Sequence, residues 1–416
     1  MIRQVRSGTR APRVGLFGIL GSGNLGNDGS LDAVVNYIRR EHPGASLGFL
    51  CMGPDLTSAR YGAQSTHLQW YEPHAGTATG AHAAALKILG KLLDPLRTLA
   101  WVRRYDVVLV PGMGVLETTL PLRPWAFPYS LFWLGLTSRI TGTRVALLSV
   151  GSNVVKTRLT RWLITSAARL ADYRSFRDEL SRDALREMGV DVGADKVYPD
   201  LAFALPTPLA RPGTGAVGIG IMAYYGGNDD RKRAKELHRA YLETMTQFVC
   251  WLIDAGRQVR LYSGDKTDEP VVAQILDDIQ RVRPGVGATQ VVAESTSTLH
   301  ELLQRMADVD TVVASRYHNV ICALKLGKPT VSIGYASKHE ALMARMGLAD
   351  FCHSADTVDF DRLIEQFTAL EAAKEDLAAT IADRNRNQSR LLDEQFDALS
   401  LFMSPRPREG AVPDRA

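Results

Sequence analysis

A β-branched apolar run, Thr311 to Ala314, stops at Ser315, and Arg316, Tyr317, His318 and Asn319 follow it. A helix-like segment, Val320 to Gly327, begins at once. In a parallel α/β sheet this junction is the carboxyl end of a strand and the amino end of a helix. Backbone N–H groups and the positive helix pole meet there, so the place suits an anion. Arg316 adds a planar cation that can grip a carboxylate or phosphate through two parallel hydrogen bonds. His318 adds an imidazole, the side chain most often used to move a proton in a reaction. The competing structural reading makes Arg316 a surface ion-pair partner and His318 a helix cap.

A second constellation lies near the amino terminus. Gly21-Ser22-Gly23-Asn24-Leu25-Gly26 matches the G-x-G-x-x-G pattern between a strand-like run, Val14 to Ile19, and a helix-like one, Ser30 to Arg40. Dinucleotide binding also needs an acid at the end of the second strand to hold the ribose hydroxyls. Here that strand, Leu47 to Met52, runs into Gly53, and the first acid is Asp55, beyond a proline. The better reading is a loop whose backbone approaches a ligand, with Asn24 and Asn27 offering amide hydrogen bonds. Asp28 either caps the following helix or acts on a substrate hydroxyl.

The elements that must position these groups alternate strand and helix throughout, which predicts parallel α/β architecture. With 416 residues, two domains are expected. Residues 1–13 form a basic extension, and 14–205 form a first Rossmann-like domain. The proline- and glycine-rich stretch 206–215 is a linker. Residues 216–403 form a second Rossmann-like domain ending in charged helices, and 404–416 a polar tail expected to be disordered. The two domains should face each other across a cleft.

A net charge of +4 with mixed signs lacks the basic stripe of a nucleic-acid binder. Cys51, Cys250, Cys322 and Cys352 are scattered, which predicts neither disulfides nor a zinc site, and no His/Cys/Asp metal cluster is visible. No segment reads as a signal peptide or a bilayer span, so a cytoplasmic protein is expected. The aromatic stretch Pro124 to Leu136 holds Trp125, Phe127, Tyr129, Phe132 and Trp133. It reads as a buried helix or lid, with peripheral contact to the inner face of a membrane, or to a lipid carrier, as a second reading.

The motifs together resemble the polysaccharide pyruvyl transferase family over roughly residues 14–350. Gly21 to Gly29 is similar to that family's opening loop. Phe176-Arg177-Asp178-Glu179-Leu180-Ser181, with Leu185, Gly189 and Val190, is similar to its central "RD-x-x-S" segment, and Pro199-Asp200 to the "PD" that follows. Ser315-Arg316-Tyr317-His318, Ala323-Leu324 to Pro329, and Gly334-Tyr335 with Lys338 are similar to "SR-x-H…A…G-x-P" and "Y-x-x-K". The aromatic insertion near 124–136 has no counterpart in the pattern.

The resemblance implies a GT-B-like fold and transfer of a pyruvyl group from phosphoenolpyruvate to two hydroxyls of a sugar. That reaction leaves a cyclic ketal and phosphate. Phosphoenolpyruvate is then a co-substrate, with no separate cofactor and no metal, and the acceptor sugar is free or lipid-linked. Two adjacent anions need at least two cations, because unpaired buried charge is costly. Arg316 is one. Arg177 is the second by resemblance, its alternative being an ion pair with Asp178 or Glu179. Lys338 is a third, its alternative being a solvated helix start. His318 is the expected acid and a phosphate contact. Gly23, Asn24, Asn27 and Asp28 are expected to line the acceptor side. Gly112, Gly114 and Glu117 either join them on the acceptor side or, as the preferred reading, form a plain turn, and Asp200 is expected to orient the domain junction rather than react. Two other readings compete: a GT-B sugar-nucleotide transferase, for which only Glu340 could hold the ribose, and a non-catalytic binding module.

Overall fold

The computed structural model of the chain describes residues 10–76, 79–117, 124–209, 211, 213–227, 230, 232–287 and 289–404. The expected tail beyond 404, most of the basic extension, and residues 210 and 212 of the expected linker lie outside the described residues.

Seven parallel strands form the first sheet: β1 (Arg13–Gly18), β2 (Ser46–Cys51), β3 (Gln64–His67), β4 (Val107–Pro111), β5 (Arg144–Val150), β6 (Tyr173–Phe176) and β7 (Lys196–Val197). Their order is β3-β2-β1-β4-β5-β6-β7. Six parallel strands form the second: β8 (Val217–Gly220), β9 (Val259–Tyr262), β10 (Val291–Glu294), β11 (Thr311–Ala314), β12 (Thr330–Gly334) and β13 (Cys352–Ser354). Their order is β10-β9-β8-β11-β12-β13. The central strands β4, β8, β11 and β12 are buried at every residue, as parallel strands covered on both faces must be.

Helices connect the strands. In the first half they are α1 (Leu25–Glu41), α2 (Pro54–Tyr61), α3 (Gly80–Val102), α4 (Phe127–Thr141), α5 (Arg158–Leu170) and α6 (Glu179–Glu187). In the second they are α7 (Ala234–Asp254), α8 (Glu269–Val282), α9 (Leu299–Met306), α10 (Tyr317–Lys325), α11 (Ser337–Arg345), α12 (Phe360–Ala372) and α13 (Lys374–Met403). In both sheets the strand order reverses at the central pair, β1/β4 and β8/β11. Ligands of open α/β sheets sit outside the strand carboxyl ends at such a point.

Three local outcomes differ from the sequence expectation. Helix α1 begins at Leu25, five residues before the expected Ser30, because Asn24 caps it: its side chain accepts from the Asn27 N–H. Helix α3 runs unbroken through Pro95, where the helical stretch Ala83 to Arg104 is expected from sequence to be interrupted. Proline removes the N–H that would have bonded the Lys91 carbonyl, and the Tyr129 hydroxyl of α4 donates to that carbonyl at 2.6 Å. The long charged stretch after Val358 divides into α12 and α13. Helix α13 returns to the first sheet, where Gln395 accepts from the Ser149 hydroxyl and donates to Ser175, both at 3.0 Å, and the Phe396 ring stacks on Tyr37.

The expected buried helix in the aromatic stretch is α4, with Phe127, Leu131 and Leu134 in the core. Among the described residues no helix is long and apolar enough to cross a membrane.

Candidate active site

The carboxyl ends of the two sheets meet, and the chemistry-bearing residues collect there. Strand β11 ends at Ala314. Ser315, fully buried, hydrogen-bonds the Tyr241 hydroxyl at 2.7 Å and anchors the turn into α10. Arg316 holds the N-cap position in an extended conformation, so Tyr317 and His318 open the helix. From the first sheet come Glu117 after β4, Arg177 and Asp178 after β6, and Asp200 after β7. Asp178 caps α6 through the Ser181 N–H.

His318 does not act as a cap. Its Nε2 faces Oδ2 of Asp200 at 3.7 Å, across the junction of the two halves. The other oxygen of Asp200 accepts from the Ala202 N–H at 3.0 Å. Burial opposes ionisation of Asp200, yet the His318 imidazole and the Arg177 guanidinium hold its carboxyl below the usual range. Asp200 is therefore a fixed negative charge aimed at the imidazole, a closer partner for His318 than the sequence reading of Asp200 allowed.

The glycine loop reaches the same histidine. A Cβ on Gly26 would stand 1.9 Å from Cε1 of His318, so only glycine lets α1 approach the ring. The four loop residues expected on the acceptor side are engaged otherwise. Asn24 caps α1 and donates to Asp265 of the second half at 3.3 Å. Asn27 donates to the Ile19 carbonyl. Asp28 is buried and accepts from the Gly21 N–H at 2.6 Å, and the cap of α1 is Asn24. Gly23 takes a positive φ beside the Lys266 side chain. Their polar groups hold the loop together and against the second half.

The expected cations differ in what they face. Arg316 is bidentate to the fully buried Asp268, Nε to Oδ2 at 2.9 Å and Nη2 to Oδ1 at 2.5 Å. Asp268 also accepts from the Ala223 and Gly264 N–H groups, so every direction of its carboxylate is used. The remaining Nη1 of Arg316 has no hydrogen bond among the described residues. Arg177 is buried. Its guanidinium bonds Glu117, lies 3.6 Å from Asp178 and 4.0 Å from Asp200, and covers the Tyr317 ring at 5.2 Å. Arg177 was expected either as a donor cation or as an ion-pair partner of Asp178 or Glu179; its surroundings make it the buried countercharge of Glu117, Asp178 and Asp200, held protonated by them against the effect of burial. Lys338 has no carboxylate within 4.0 Å among the described residues, and its Nζ rests on the rings of Tyr317 and Tyr335 at 5.3 and 5.2 Å.

Glu117, expected to be a turn residue, is the nearest partner of Arg177. Burial opposes its charge, but Arg177 and then Lys338 keep its carboxyl below the usual range. The turn that presents it contains Met113 at φ 65, and the neighbouring strand end contains Ser149 at φ 46. Non-glycine residues rarely adopt such angles, and strain of this kind concentrates at working sites. Asn319 was not singled out from sequence as a binder. It is fully buried beside the Arg316 turn, and among the described residues neither its amide oxygen nor its nitrogen has a partner. No sequence signal marks Asp268, which lies 48 residues from Arg316. Among the described residues no group of His, Cys, Asp and Glu is arranged to hold a metal.

Among solved structures the chain is similar to GT-B-like enzymes. The UDP-GlcNAc 2-epimerase of Neisseria meningitidis bound to UDP-GlcNAc is 13% identical with a TM-score of 0.55, over 92% of this chain and 99% of that one. The UDP-GlcNAc 2-epimerase of Methanocaldococcus jannaschii is 9% identical with a TM-score of 0.55, over 85% and 91%. The lipopolysaccharide outer core galactosyltransferase WaaB is 11% identical with a TM-score of 0.51, over 92% and 99%. At such identities the likeness shows the fold alone: two Rossmann-like halves in a GT-B-like arrangement. No curated protein sequence matches the chain. The sequence model of the polysaccharide pyruvyl transferase family matches residues 24–337, three quarters of the chain, and the chain belongs to that family.

Proposed function

We propose that this polysaccharide pyruvyl transferase takes phosphoenolpyruvate as donor and builds a cyclic ketal on two hydroxyls of a sugar. The observation that carries the reading is the Asp200–His318 pair standing beside Lys338, a cation with no carboxylate partner, at the amino end of α10. Phosphoenolpyruvate brings a carboxylate and a phosphate on one carbon. The α10 amino end, Lys338, and Nη1 of Arg316 offer positive groups to it, and the unpartnered Asn319 amide offers both a donor and an acceptor.

His318 acts as the acid. The enol C3 takes a proton from the imidazolium as an acceptor oxygen forms a bond to C2, turning the methylene into a methyl group. Asp200 faces Nε2 and orients the ring. The second hydroxyl then forms the other C2–O bond while the bond from C2 to the phosphate oxygen breaks, and phosphate leaves with the electron pair. One of the two hydroxyl protons returns to His318 and the other goes out with phosphate, so acceptor plus donor gives ketal plus phosphate. Holding two hydroxyls against one carbon is chiefly a matter of position, where effective molarity contributes most.

The reading is tested by incubating the protein with phosphoenolpyruvate and candidate glycans and measuring phosphate. Acceptor-dependent phosphate release supports it. Nucleotide release from a UDP-sugar, with no phosphate from phosphoenolpyruvate, supports the sugar-nucleotide transferase instead.

A further inference from the structure

Helices α3, α4 and α5 each follow one strand and lead toward β7 across the first sheet. Right-handed crossovers therefore lay all three on one face, opposite α1. Helix α4 packs between α3 and α5. The outer surface of this layer is apolar without being covered. On α3, Ile88, Leu92 and Leu96, spaced four apart on one stripe, are 66%, 69% and 64% exposed. On α5, Trp162 is 53% exposed, and Trp125 precedes α4 exposed as well. Aromatic contacts run along α4, Trp125 to Tyr129 at 5.9 Å, Tyr129 to Trp133 at 6.1 Å and Trp133 to Phe132 at 5.7 Å, and Phe132 carries them to Trp162 of α5 at 5.0 Å.

Between the start of α3 and the end of α5 the charge is predominantly positive, with acids following in Asp172 and on α6 (Glu179, Asp183 and Glu187). Between Gly80 and Leu170 the sequence has twelve Lys and Arg residues and three acids, Asp94, Asp106 and Glu117. None of the three acids is free. Asp94 is paired with Lys91 and Arg97, Asp106 with Arg13, and Glu117 is buried against Arg177. Lys87, Lys156, Arg158 and Arg161 have no carboxylate within 4.0 Å among the described residues.

We propose that the α3–α4–α5 face docks on an anionic lipid bilayer. Exposed aliphatic and indole side chains interleaved with unpaired cations suit the headgroup region, where both kinds of group find partners. Pairing with a second copy of the same face would set cation against cation, which disfavours that occupant. Docking of this kind does not depend on the donor assigned above, and the surface extends well beyond the 124–136 stretch that the sequence marked.

The test is cosedimentation of the full chain with vesicles of phosphatidylcholine, with and without phosphatidylglycerol. The protein should pellet with the anionic vesicles, and less so as salt rises. Ile88→Ser/Leu92→Ser and Arg158→Glu/Arg161→Glu should each lower the partition coefficient on the order of tenfold. All four positions are exposed, so thermal unfolding should stay as in the parent protein. Three results would overturn the proposal: no binding to either vesicle, binding that neither double variant weakens, or a dimer in size-exclusion chromatography that Ile88→Ser/Leu92→Ser splits while vesicles bind nothing.

Discussion

Nε2 of His318 stands 3.7 Å from Oδ2 of Asp200, so the imidazole belongs to one sheet and its carboxylate to the other. An acid assembled this way works only when the halves are docked. Asp200→Asn should leave donor KM little changed and lower kcat by about 10²–10⁴-fold, the usual range for an acid–base contribution. His318→Ala combined with Asp200→Asn should be scarcely worse than His318→Ala alone, because both act through one proton transfer. Steady-state kinetics of the three variants checks both statements, and additive losses would separate Asp200 from the imidazole.

Gly26 tests the same pair from the opposite side. A methyl group there collides with the His318 ring. Gly26→Ala should reduce kcat by about 100-fold through displacement of the imidazole, with the secondary-structure circular dichroism of the parent protein.

Lys338 and Arg316 should separate binding from stability. Lys338 has no carboxylate within 4.0 Å among the described residues and acts on Glu117 only at longer range, so Lys338→Ala should raise donor KM by about 10- to 100-fold with a far smaller loss of stability than Arg316→Ala. Arg316→Ala also abandons the buried Asp268, so it should cost about 3–5 kcal/mol in urea unfolding as well as weakening the donor. Arg316→Ala in the Asp268→Asn background should recover part of that stability.

His339 governs the acid side of stability. Burial, and then the neighbouring Lys338 charge, push its imidazole down to about 3, so the folded chain holds it neutral. The unfolded chain binds that proton near pH 6.5. Its contribution is therefore fully present above pH 6.5 and shrinks as pH falls toward 3, by about 1.4 kcal/mol per pH unit. His339→Gln should flatten the stability profile between pH 6.5 and 5 by about that slope. An unchanged slope in urea titrations at those pH values would assign the acid sensitivity to other groups.

Much of the frame was legible because its signals are local. Arg144–Val150, Tyr173–Phe176 and Glu269–Val282 are apolar runs or amphipathic stretches with clear ends, and they form β5, β6 and α8. The junction at Ser315 was legible for the same reason: a β-branched run meets a polar cluster. What escaped was long-range. Nothing near Arg316 in sequence announces Asp268, and nothing near His318 announces Gly26. Asn24, Asn27 and Asp28 carry the residue types of a binding loop, yet their hydrogen bonds go to backbone and to Asp265, a distinction that only folded geometry makes. Pro95 reads as a helix interruption until Tyr129 supplies the missing donor.

The central claim is that the cleft between the sheets holds phosphoenolpyruvate against His318. Its most direct test is a mass spectrum of a glycan acceptor after incubation with phosphoenolpyruvate and either the parent protein or His318→Ala. The acceptor should gain the mass of pyruvic acid less one water, with matching phosphate release, in the parent reaction alone. Equal ketal formation by His318→Ala, or no gain on any acceptor while a UDP-sugar is consumed, would contradict it.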